Sequence, residues 1–348
     1  MHRFDYSFLN NGLLPASLVN LTASIASLKT MAGVRRESNI KVFTELETIA
    51  KVQSVKSSNA IEGIVTSDSR IAEIVNGNSA PLNHNEMEIV GYRDALNAIH
   101  RGYAYLDFRQ VDILRLHEML MSMTGDEYGG KYKVSDNYIL EEDSKGNRRI
   151  RFLPTPAAET PAAMEQLELA YLQARNDANI NQLLLIPCVI LDFLCIHPFR
   201  DGNGRMSRLL SLLLLYKNGY DAGKYVSFEE QINQYKAYYY DALAQSSVGW
   251  AENENSYFPF IENFLSMLYM CYKELDKRFA VVQGKRITKK ARVEATVLNS
   301  LTPLSKAEIC SILPDVSPST VEVVLGAMVK TGSVRKIGSS RAARYIRA

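Results

Sequence analysis

The sequence predicts a mainly α-helical protein with one small β-hairpin and a basic module at its C-terminus. Apolar residues recur at helical spacing along most of the 348 residues. Two short alternating runs, over 129–140 and 149–154, interrupt that pattern and indicate a hairpin whose turn contains Gly146. From Lys285 onward 12 Lys and Arg stand against 4 Asp and Glu, a net +8, whereas residues 1–284 carry 28 against 34, a net −6. The tail is therefore predicted to be a module of a different kind.

The helical pattern is punctuated by residues that start or stop helices. Pro15 suits a first helical position, and Gly63 suits a helix C-cap. A two-stranded hairpin is only marginally stable by itself, so this one is expected to pack over another part of the protein. We expect His100 and His117 to be surface or packing histidines, because no second ligand or base accompanies them. Helices are predicted over residues 15–29, 38–62, 85–99 and 108–121, from about 162, and over 181–196, 205–216, 232–243 and 257–279.

The tail is predicted to be a winged helix-turn-helix domain over residues 285–348, after a hinge at Gln283–Lys285. Helices at about 291–301, 305–313 and 317–331, the second capped by Ser305, precede a small basic hairpin over 332–346. Its excess of Lys and Arg suits the phosphate backbone of DNA, although many such modules contact proteins instead. DNA is therefore one of two predicted kinds of partner for this domain.

Composition excludes several classes of protein. A hydrophobic content of 47% with 22% charged residues is typical of a globular protein. No secretory apolar region follows Met1, and the apolar run Leu183–Ile196 is too short to span a bilayer. We expect a cytoplasmic protein with no membrane segment. The cysteines lack zinc-ligand spacing and are predicted to be reduced and buried: Cys188, Cys195, Cys271 and Cys310.

The stretch from His197 to Arg208 contains side chains of several different chemical types within twelve residues. It reads His-Pro-Phe-Arg-Asp-Gly-Asn-Gly-Arg-Met-Ser-Arg. Gly202 and Gly204 allow backbone conformations in which successive N–H groups point at one anion. The helix predicted to begin there would add a favourable dipole. The stretch is therefore predicted to bind phosphate.

Charged side chains in the same stretch extend this prediction. Arg205 and Arg208 lie three apart on one helical face, and guanidinium groups bind phosphate oxygens in a fixed fork. Asp201 suits Mg²⁺, which binds through one or two carboxylates plus the phosphates of a nucleotide. His197 suits a general base for a hydroxyl nucleophile, because its ordinary pKa lies near neutrality.

At every defining position this stretch resembles the Fic family signature, His-Pro-Phe-x-Asp-Gly-Asn-Gly-Arg-x-x-Arg. The resemblance implies a Fic-type helical core over residues 106–280 that transfers AMP from ATP to a Tyr, Thr or Ser hydroxyl of a target protein. It also implies that the hairpin is a flap that positions the target segment. The implied roles are general base for His197, Mg²⁺ ligand for Asp201, phosphate cradle for Gly202, Asn203 and Gly204, and orientation of the β and γ phosphates for Arg205 and Arg208.

The helix that ends before Gly63 resembles the inhibitory motif of the same family. That motif is Ser or Thr, three residues, Glu, then Gly or Asn, and here it runs from Ser58 to Gly63. The implied partner of Glu62 is Arg208, and their pair would occupy the place of the ATP γ-phosphate. Glu62 also places negative charge at a helix C-terminus, where the dipole disfavours it, so a compensating cation is expected. The resemblance implies an enzyme silenced in cis by an N-terminal helical region, residues 1–105.

A later helix departs from the family pattern. Tyr239 and Tyr240 correspond to paired tyrosines that would line an adenine pocket, whereas aromatic residues at helical spacing are also typical of simple core. The Asn-Arg pair usual before them is Tyr235-Lys236 here. The resemblance therefore does not fix the contacts of this helix with the base or the identity of the nucleotide.

Two other functions stay open on the sequence. A nucleotide-sensing DNA-binding regulator would use the core to bind ATP without much chemistry. A de-AMPylase would remove AMP from modified targets, with Glu62 orienting water. The complete catalytic set argues against a pure sensor, which has no use for a general base. Self-modification and a homodimer are compatible with the sequence, which does not identify the target protein.

Overall fold

The computed structural model describes residues 2–142, 148–283, 288–298, 300, 303–338 and 343–348. Within these ranges the protein is mainly helical, as predicted, with two small antiparallel sheets. The helices are α1 (Phe8–Asn11), α2 (Ala16–Ser38), α3 (Ile40–Ile61), α4 (Asp68–Val75), α5 (His84–Gly102), α6 (Gln110–Met121), α7 (Thr160–Arg175), α8 (Gln182–Ile196), α9 (Asn203–Lys217), α10 (Phe228–Gln234), α11 (Lys236–Ser247), α12 (Phe258–Gln283), α13 (Lys289–Leu298), α14 (Lys306–Ile312) and α15 (Pro318–Lys330).

The core is built around α8 and α9. Every residue of α8 after Gln182 is buried, and α9 is buried over most of its length. A helix that is apolar on all sides must be surrounded by others, and α8 packs against α7, α9, α11 and α12. The junction between α8 and α9 is thus fixed from several directions.

The inhibitory helix predicted from the sequence is α3, which packs against α5, α9 and α10. Next to it α5 approaches α6 closely: a β-carbon on Gly91 would lie 2.0 Å from the carbonyl oxygen of Leu120. Such an approach is open only to glycine. The close approach of α5 to α6 places α5, and with it Glu88, against the core.

Two predicted helices have different bounds. The first continues to Ser38 instead of ending near Lys29, because nothing between them interrupts the helix. The predicted helix over 232–243 is broken at Tyr235, whose φ of −112° and ψ of 33° are not helical. No Gly or Pro marks that break in the sequence.

The hairpin consists of β1 (Ile139–Glu142) and β2 (Arg148–Phe152), paired antiparallel with a bulge between Ile139 and Leu140. The strands are displaced from the predicted runs: residues 129–137 are not strand, because their backbone turns and bonds to the core instead. The predicted turn at Gly146 lies outside the described residues.

The C-terminal part contains α13, α14 and α15 and a sheet of β3 (Leu304–Ser305), β4 (Val334–Ile337) and β5 (Arg344–Arg347), in the order β3-β5-β4. Ser305 caps α14 as predicted, in a capping box with Glu308. The arrangement is compatible with a winged helix-turn-helix. Of the predicted hinge, Gln283 is instead the last residue of α12, and Gly284 and Lys285 lie outside the described residues. The domain limits and DNA binding stay predictions.

No helix in the described part of the chain combines the length and the apolar character needed to cross a membrane. The cysteines are free. Cys188, Cys195 and Cys271 are buried as predicted, whereas Cys310 is only half-buried because it packs at the edge of the smaller C-terminal core.

Candidate active site

The structure brings the motif residues His197, Asp201 and 202–205 to one cavity of about 320 Å³ at the junction of α8 and α9, whereas Arg208 does not line it. His197 ends α8 and Asn203 begins α9. Glu62, Asp201 and Gly204 share the cavity wall with them, and Arg151 and Phe152 of β2 line its other side. The hairpin therefore lies beside the motif, as a covering element would.

His197 adopts a left-handed conformation, with φ of 51° and ψ of 60°. A residue with a β-carbon is strained there by roughly 1–2 kcal/mol. Nδ1 lies 3.3 Å from the carbonyl oxygen of Leu194. This contact assigns the proton to Nδ1 and leaves Nε2 as an acceptor. Burial lowers the pKa of His197 to about 4, so its imidazole is neutral at physiological pH.

The loop after His197 is held by residues that bond to its backbone. The amide of Asn203 accepts from the Phe199 N–H at 2.9 Å and donates to the Phe199 carbonyl at 2.8 Å. Both polar ends of Asn203 are thus engaged within the loop. Gly202 has a φ of 80°, which suits glycine alone.

His117 supports this loop from α6. It is fully buried, its ring stacks on Phe199 at 3.7 Å, and Nε2 lies 3.1 Å from the carbonyl oxygen of Asp201. Nδ1 accepts from the Gly130 N–H, so Nε2 carries the proton. His117 is therefore a packing histidine that contacts the motif, and no pattern in the sequence predicted that contact.

Asp201 points into the open part of the cavity, with 58% of its side chain exposed. Oδ1 accepts from the Gly202 N–H at 2.6 Å, and Oδ2 lies 3.5 Å from Nη2 of Arg205. Among the described residues no group of three or more His, Cys, Asp or Glu could hold a metal. One exposed carboxylate nevertheless fits Mg²⁺ that arrives with a nucleotide and takes its remaining ligands from phosphate and water.

Arg205 is paired with a carboxylate outside the motif. Its Nη1 lies 2.6 Å from Oε2 of Glu88 on α5, and only 2% of the arginine side chain and 10% of the glutamate side chain are exposed. Buried guanidinium groups require such compensation. Sequence reasoning missed Glu88, because nothing in the α5 pattern distinguishes it from other acidic residues.

Arg208 makes its contacts with the predicted inhibitory motif. Its Nε donates to Oγ of Ser58 at 2.8 Å, and Nη2 donates to the Ser58 carbonyl at 2.9 Å and to Oε1 of Glu62 at 2.8 Å. The same Glu62 oxygen would lie 2.3 Å from a β-carbon on Gly204. The carboxylate therefore rests against the first turn of α9, a place that favours an anion. Gly63, with φ of 81°, ends this segment.

Three cations keep Glu62 ionised. Burial would raise the pKa of its carboxyl group, but Arg208 first, then Arg205 and Lys236, lower it below the ordinary value. Lys236 also donates to the carbonyl oxygen of Ile61 at 2.6 Å, at the end of α3. A cation at this helix end was expected from the position of Glu62, and Lys236 provides it together with Arg208.

Behind Arg208 lies a buried carboxylate that the sequence did not single out. Glu229 accepts from Oγ of Ser54 at 2.8 Å, from the Tyr92 hydroxyl at 2.8 Å and from Oγ of Ser227 at 3.2 Å. Ser54, Ser58 and Glu62 follow at four-residue intervals and share one face of α3. These contacts fix that face against α5 and α10.

The two tyrosines of α11 have different surroundings. Tyr239 is buried, with its ring edge-on to Tyr240 and to Phe260. Tyr240 lines the cavity, and the ammonium of Lys236 lies 5.8 Å from the centre of its ring. Of this pair, Tyr240 is the one placed to meet a ligand.

Comparisons with known proteins agree with this geometry. Residues 105–215 match the model of the Fic/DOC family. A Fido domain-containing protein of Dictyostelium discoideum is 34% identical over 87 residues, 25% of this chain and 59% of the relative. The protein adenylyltransferase Fic of Drosophila melanogaster is 28% identical over 138 residues, 39% of this chain and 25% of the relative. This chain thus spans less than two thirds of the length of either relative.

Solved structures show the same fold. The crystal structure of a Fic family protein from Desulfovibrio desulfuricans G20 superposes with a TM-score of 0.63 at 22% identity and covers 97% of both chains. Fic-1 from C. elegans superposes with a TM-score of 0.55 at 17% identity, over 75% of this chain and 72% of that one. The family model thus matches residues 105–215 to a Fic/DOC domain, and the solved structures show that the fold is shared.

Proposed function

We propose that this protein transfers AMP from ATP to the hydroxyl of a Tyr, Thr or Ser side chain of a target protein, and that Glu62 inhibits the transfer in cis. The Fic/DOC domain and the adenylyltransferase named among its relatives support the first part. The contact between Glu62 and Arg208 carries the second. That carboxylate lies where the first turn of α9 and a guanidinium group would otherwise meet a phosphate.

The chemistry follows from the placement of His197. Its unprotonated Nε2 accepts the proton of the target hydroxyl as that oxygen forms a bond to the α-phosphorus. The bond from the α-phosphorus to the oxygen bridging the β-phosphate breaks, and pyrophosphate leaves. A neutral imidazole at physiological pH is the form required of a base. Arg205 and Arg208 orient the departing phosphates once Glu62 is displaced.

Mg²⁺ would be held by Asp201 and, when bound, supplies positive charge to the nucleotide phosphates. Gly202, Asn203 and Gly204 present backbone N–H groups at the start of α9. Because the Asn203 amide is engaged within the loop, its backbone is the part available to phosphate. Tyr240, at the cavity wall, is the better placed of the two tyrosines to contact the base.

Label transfer tests both parts of the proposal. The Glu62→Gly protein incubated with ATP labelled at the α-phosphate and with Mg²⁺ should incorporate at least about tenfold more label than the native protein, into itself or into lysate proteins. ATP labelled at the γ-phosphate should give none, which separates adenylyl from phosphoryl transfer. His197→Ala in the same background should abolish incorporation.

Glu47→Gly is a control for loosening of α3, because it places a glycine inside the helix at a glutamate that pairs with His100 instead of Arg208. Incorporation that rises equally in both variants would point to a loosened helix and contradict inhibition by Glu62. An absence of label in the Glu62→Gly protein would contradict AMP transfer itself. Mass spectrometry of the labelled proteins would identify the target.

Removal of AMP is a second candidate, favoured by the ionised state of Glu62 inside the cavity. Its carboxylate shares the cavity with His197 and could orient a water molecule toward a phosphodiester. Proteins labelled by the Glu62→Gly variant should then lose AMP when the native protein is added, and they should keep it with a Glu62→Gln variant. Stable label in the presence of native protein would exclude this activity.

A further inference from the structure

Lys133, in the segment before the hairpin, contacts the backbone on both sides of His197. Only 5% of the lysine is exposed. Its ammonium donates to Oδ1 of Asn137 at 2.7 Å and to the Ile196 carbonyl at 3.1 Å. Its backbone N–H donates to the Pro198 carbonyl at 2.9 Å. Lys133 thus donates hydrogen bonds to the residues directly before and directly after His197.

Asn137 completes the same set of contacts. Its Nδ2 lies 3.1 Å from the Phe199 carbonyl oxygen and 3.5 Å from that of His197. Because its Oδ1 accepts from Lys133, the amide is oriented with Nδ2 toward the loop. Between them, Lys133 and Asn137 approach the four consecutive carbonyl oxygens of residues 196–199.

The loop needs such support for two physical reasons. The last carbonyls of α8 have no partner within the helix, and a cation there is favourable for both hydrogen bonding and the helix dipole. His197 moreover has the positive φ of 51° that glycine usually occupies at this position. A histidine is kept in that conformation only if its surroundings determine it.

We propose that Lys133 and Asn137 are positioning residues that hold His197 in the orientation required for proton transfer. The two residues touch backbone atoms and act through His197, so neither is itself a catalytic residue. Asn137 lies two residues before β1, which starts at Ile139. The position of the base is therefore fixed relative to the hairpin that lines the cavity. The catalytic consequence rests on the function proposed above.

Kinetics in the Glu62→Gly background test this inference. Lys133→Met and Asn137→Ala should each lower kcat by about 10- to 100-fold, since a small misplacement of a catalytic group has effects of that order. The Kd for ATP should change by less than about twofold, because the side chains of Lys133 and Asn137 contact none of the residues 201–208 that bind the nucleotide in the proposed function. Lys133→Arg, which can donate to the same acceptors, should recover part of the loss. The double variant should be little worse than the slower single variant, because the two side chains act as one unit.

Lys131→Met is the matched control, being an exposed lysine in the same segment, and should leave kcat unchanged. Equal losses of kcat and ATP affinity, or no rescue by arginine, would overturn the inference. If the Glu62→Gly protein shows no transfer at all, the proposed function fails, and a crystal structure of Lys133→Met then decides about positioning. A His197 φ that stays near the native value in that structure would overturn the inference, and a φ that leaves the left-handed region would support it.

Discussion

Oε1 of Glu62 lies 2.8 Å from Nη2 of Arg208, although 146 residues separate them in the chain. One side chain belongs to the residue that follows the last turn of α3, and the other comes from the second turn of α9. Burial opposes the charge on both side chains, and each raises the stability of the other's charged form. The pair is therefore formed only while α3 keeps its position.

The first prediction concerns Lys236, which bonds to the end of α3 at Ile61. Lys236→Met removes a helix-capping cation and one of the charges that stabilise the Glu62 carboxylate. Basal label incorporation should rise by about two- to fivefold, since a cation at a helix end contributes up to about 1 kcal/mol. Lys236→Arg should keep incorporation low. Incorporation unchanged in Lys236→Met would show that Arg208 and Arg205 hold Glu62 without help from Lys236.

The second prediction concerns the buried pair of Glu88 and Arg205. Glu88→Leu should lower the free energy of unfolding by about 3 kcal/mol, because it leaves the buried guanidinium with only its longer contact to Asp201. The double variant with Arg205→Met should recover most of that stability, since both charges are removed together. Urea denaturation measures the free energies of unfolding of the single and the double variant. ATP titration should show that the double variant does not regain nucleotide affinity. A double variant as unstable as Glu88→Leu would contradict the pairing.

The third prediction concerns the pH dependence of transfer. The base must be neutral, and burial places the pKa of His197 at about 4. Activity should therefore persist as pH falls through 6.5, the ordinary histidine value, and decline only below about pH 5. Lys133, Glu62 and Asp201 are the charged groups that act on this imidazole. Initial rates of the Glu62→Gly protein, with circular dichroism as a control for folding, measure the profile. Half-maximal activity near pH 6.5 would contradict the assignment.

The fourth prediction concerns Asp192, a fully buried carboxyl group of α8. Burial raises its pKa to about 7, although Trp250, Tyr6 and Tyr257 donate hydrogen bonds to it. The folded state therefore binds a proton that the unfolded state releases between about pH 4 and 7. Stability should fall as pH rises through that window, by at most about 4 kcal/mol from this group.

Asp192→Asn should remove that part of the slope, because an amide does not titrate. Urea unfolding of both proteins at several pH values gives the difference directly, since the other titrating groups are common to both. Parallel slopes for the two proteins would show that Asp192 is ionised throughout. The free energy of unfolding of Asp192→Asn also measures how much this carboxyl group stabilises the packing of the N-terminal segment on α8, because the Tyr6 hydroxyl donates a hydrogen bond to it.

The twelve-residue motif was predictable because its parts are contiguous, and the chemistry of each residue type can be read without a fold. The same holds for the segment from Ser58 to Gly63, whose pairing with Arg208 entered through a family resemblance. The structure contains that contact. What the pair does to activity stays a prediction until transfer is measured.

The supporting residues were not predictable, because tertiary structure alone brings them to the motif. Glu88 and Lys133 lie far in sequence from the motif residues they contact. Each also lies in a pattern that by itself predicts only secondary structure, a periodic helix for Glu88 and an alternating strand for Lys133. Lys133 occupies a run that alternates like a strand, yet its N–H bonds to Pro198 instead of to a neighbouring strand. The break at Tyr235 likewise has no Gly or Pro to announce it, and it is the break that brings Lys236 to the start of α11.

Helix α3 also has a neighbour in the C-terminal part, since α14 packs on it. Burial and the nearby Glu308 of α14 raise the pKa of Glu45 in the first half of α3. At 1.5 Å per residue the 22 residues of α3 extend about 33 Å. A rod of that length tilted by about 3° moves its far end by nearly 2 Å, more than a hydrogen bond tolerates. A displacement of α14 would therefore be transmitted to the Glu62–Arg208 contact by α3 alone, with no other element between them.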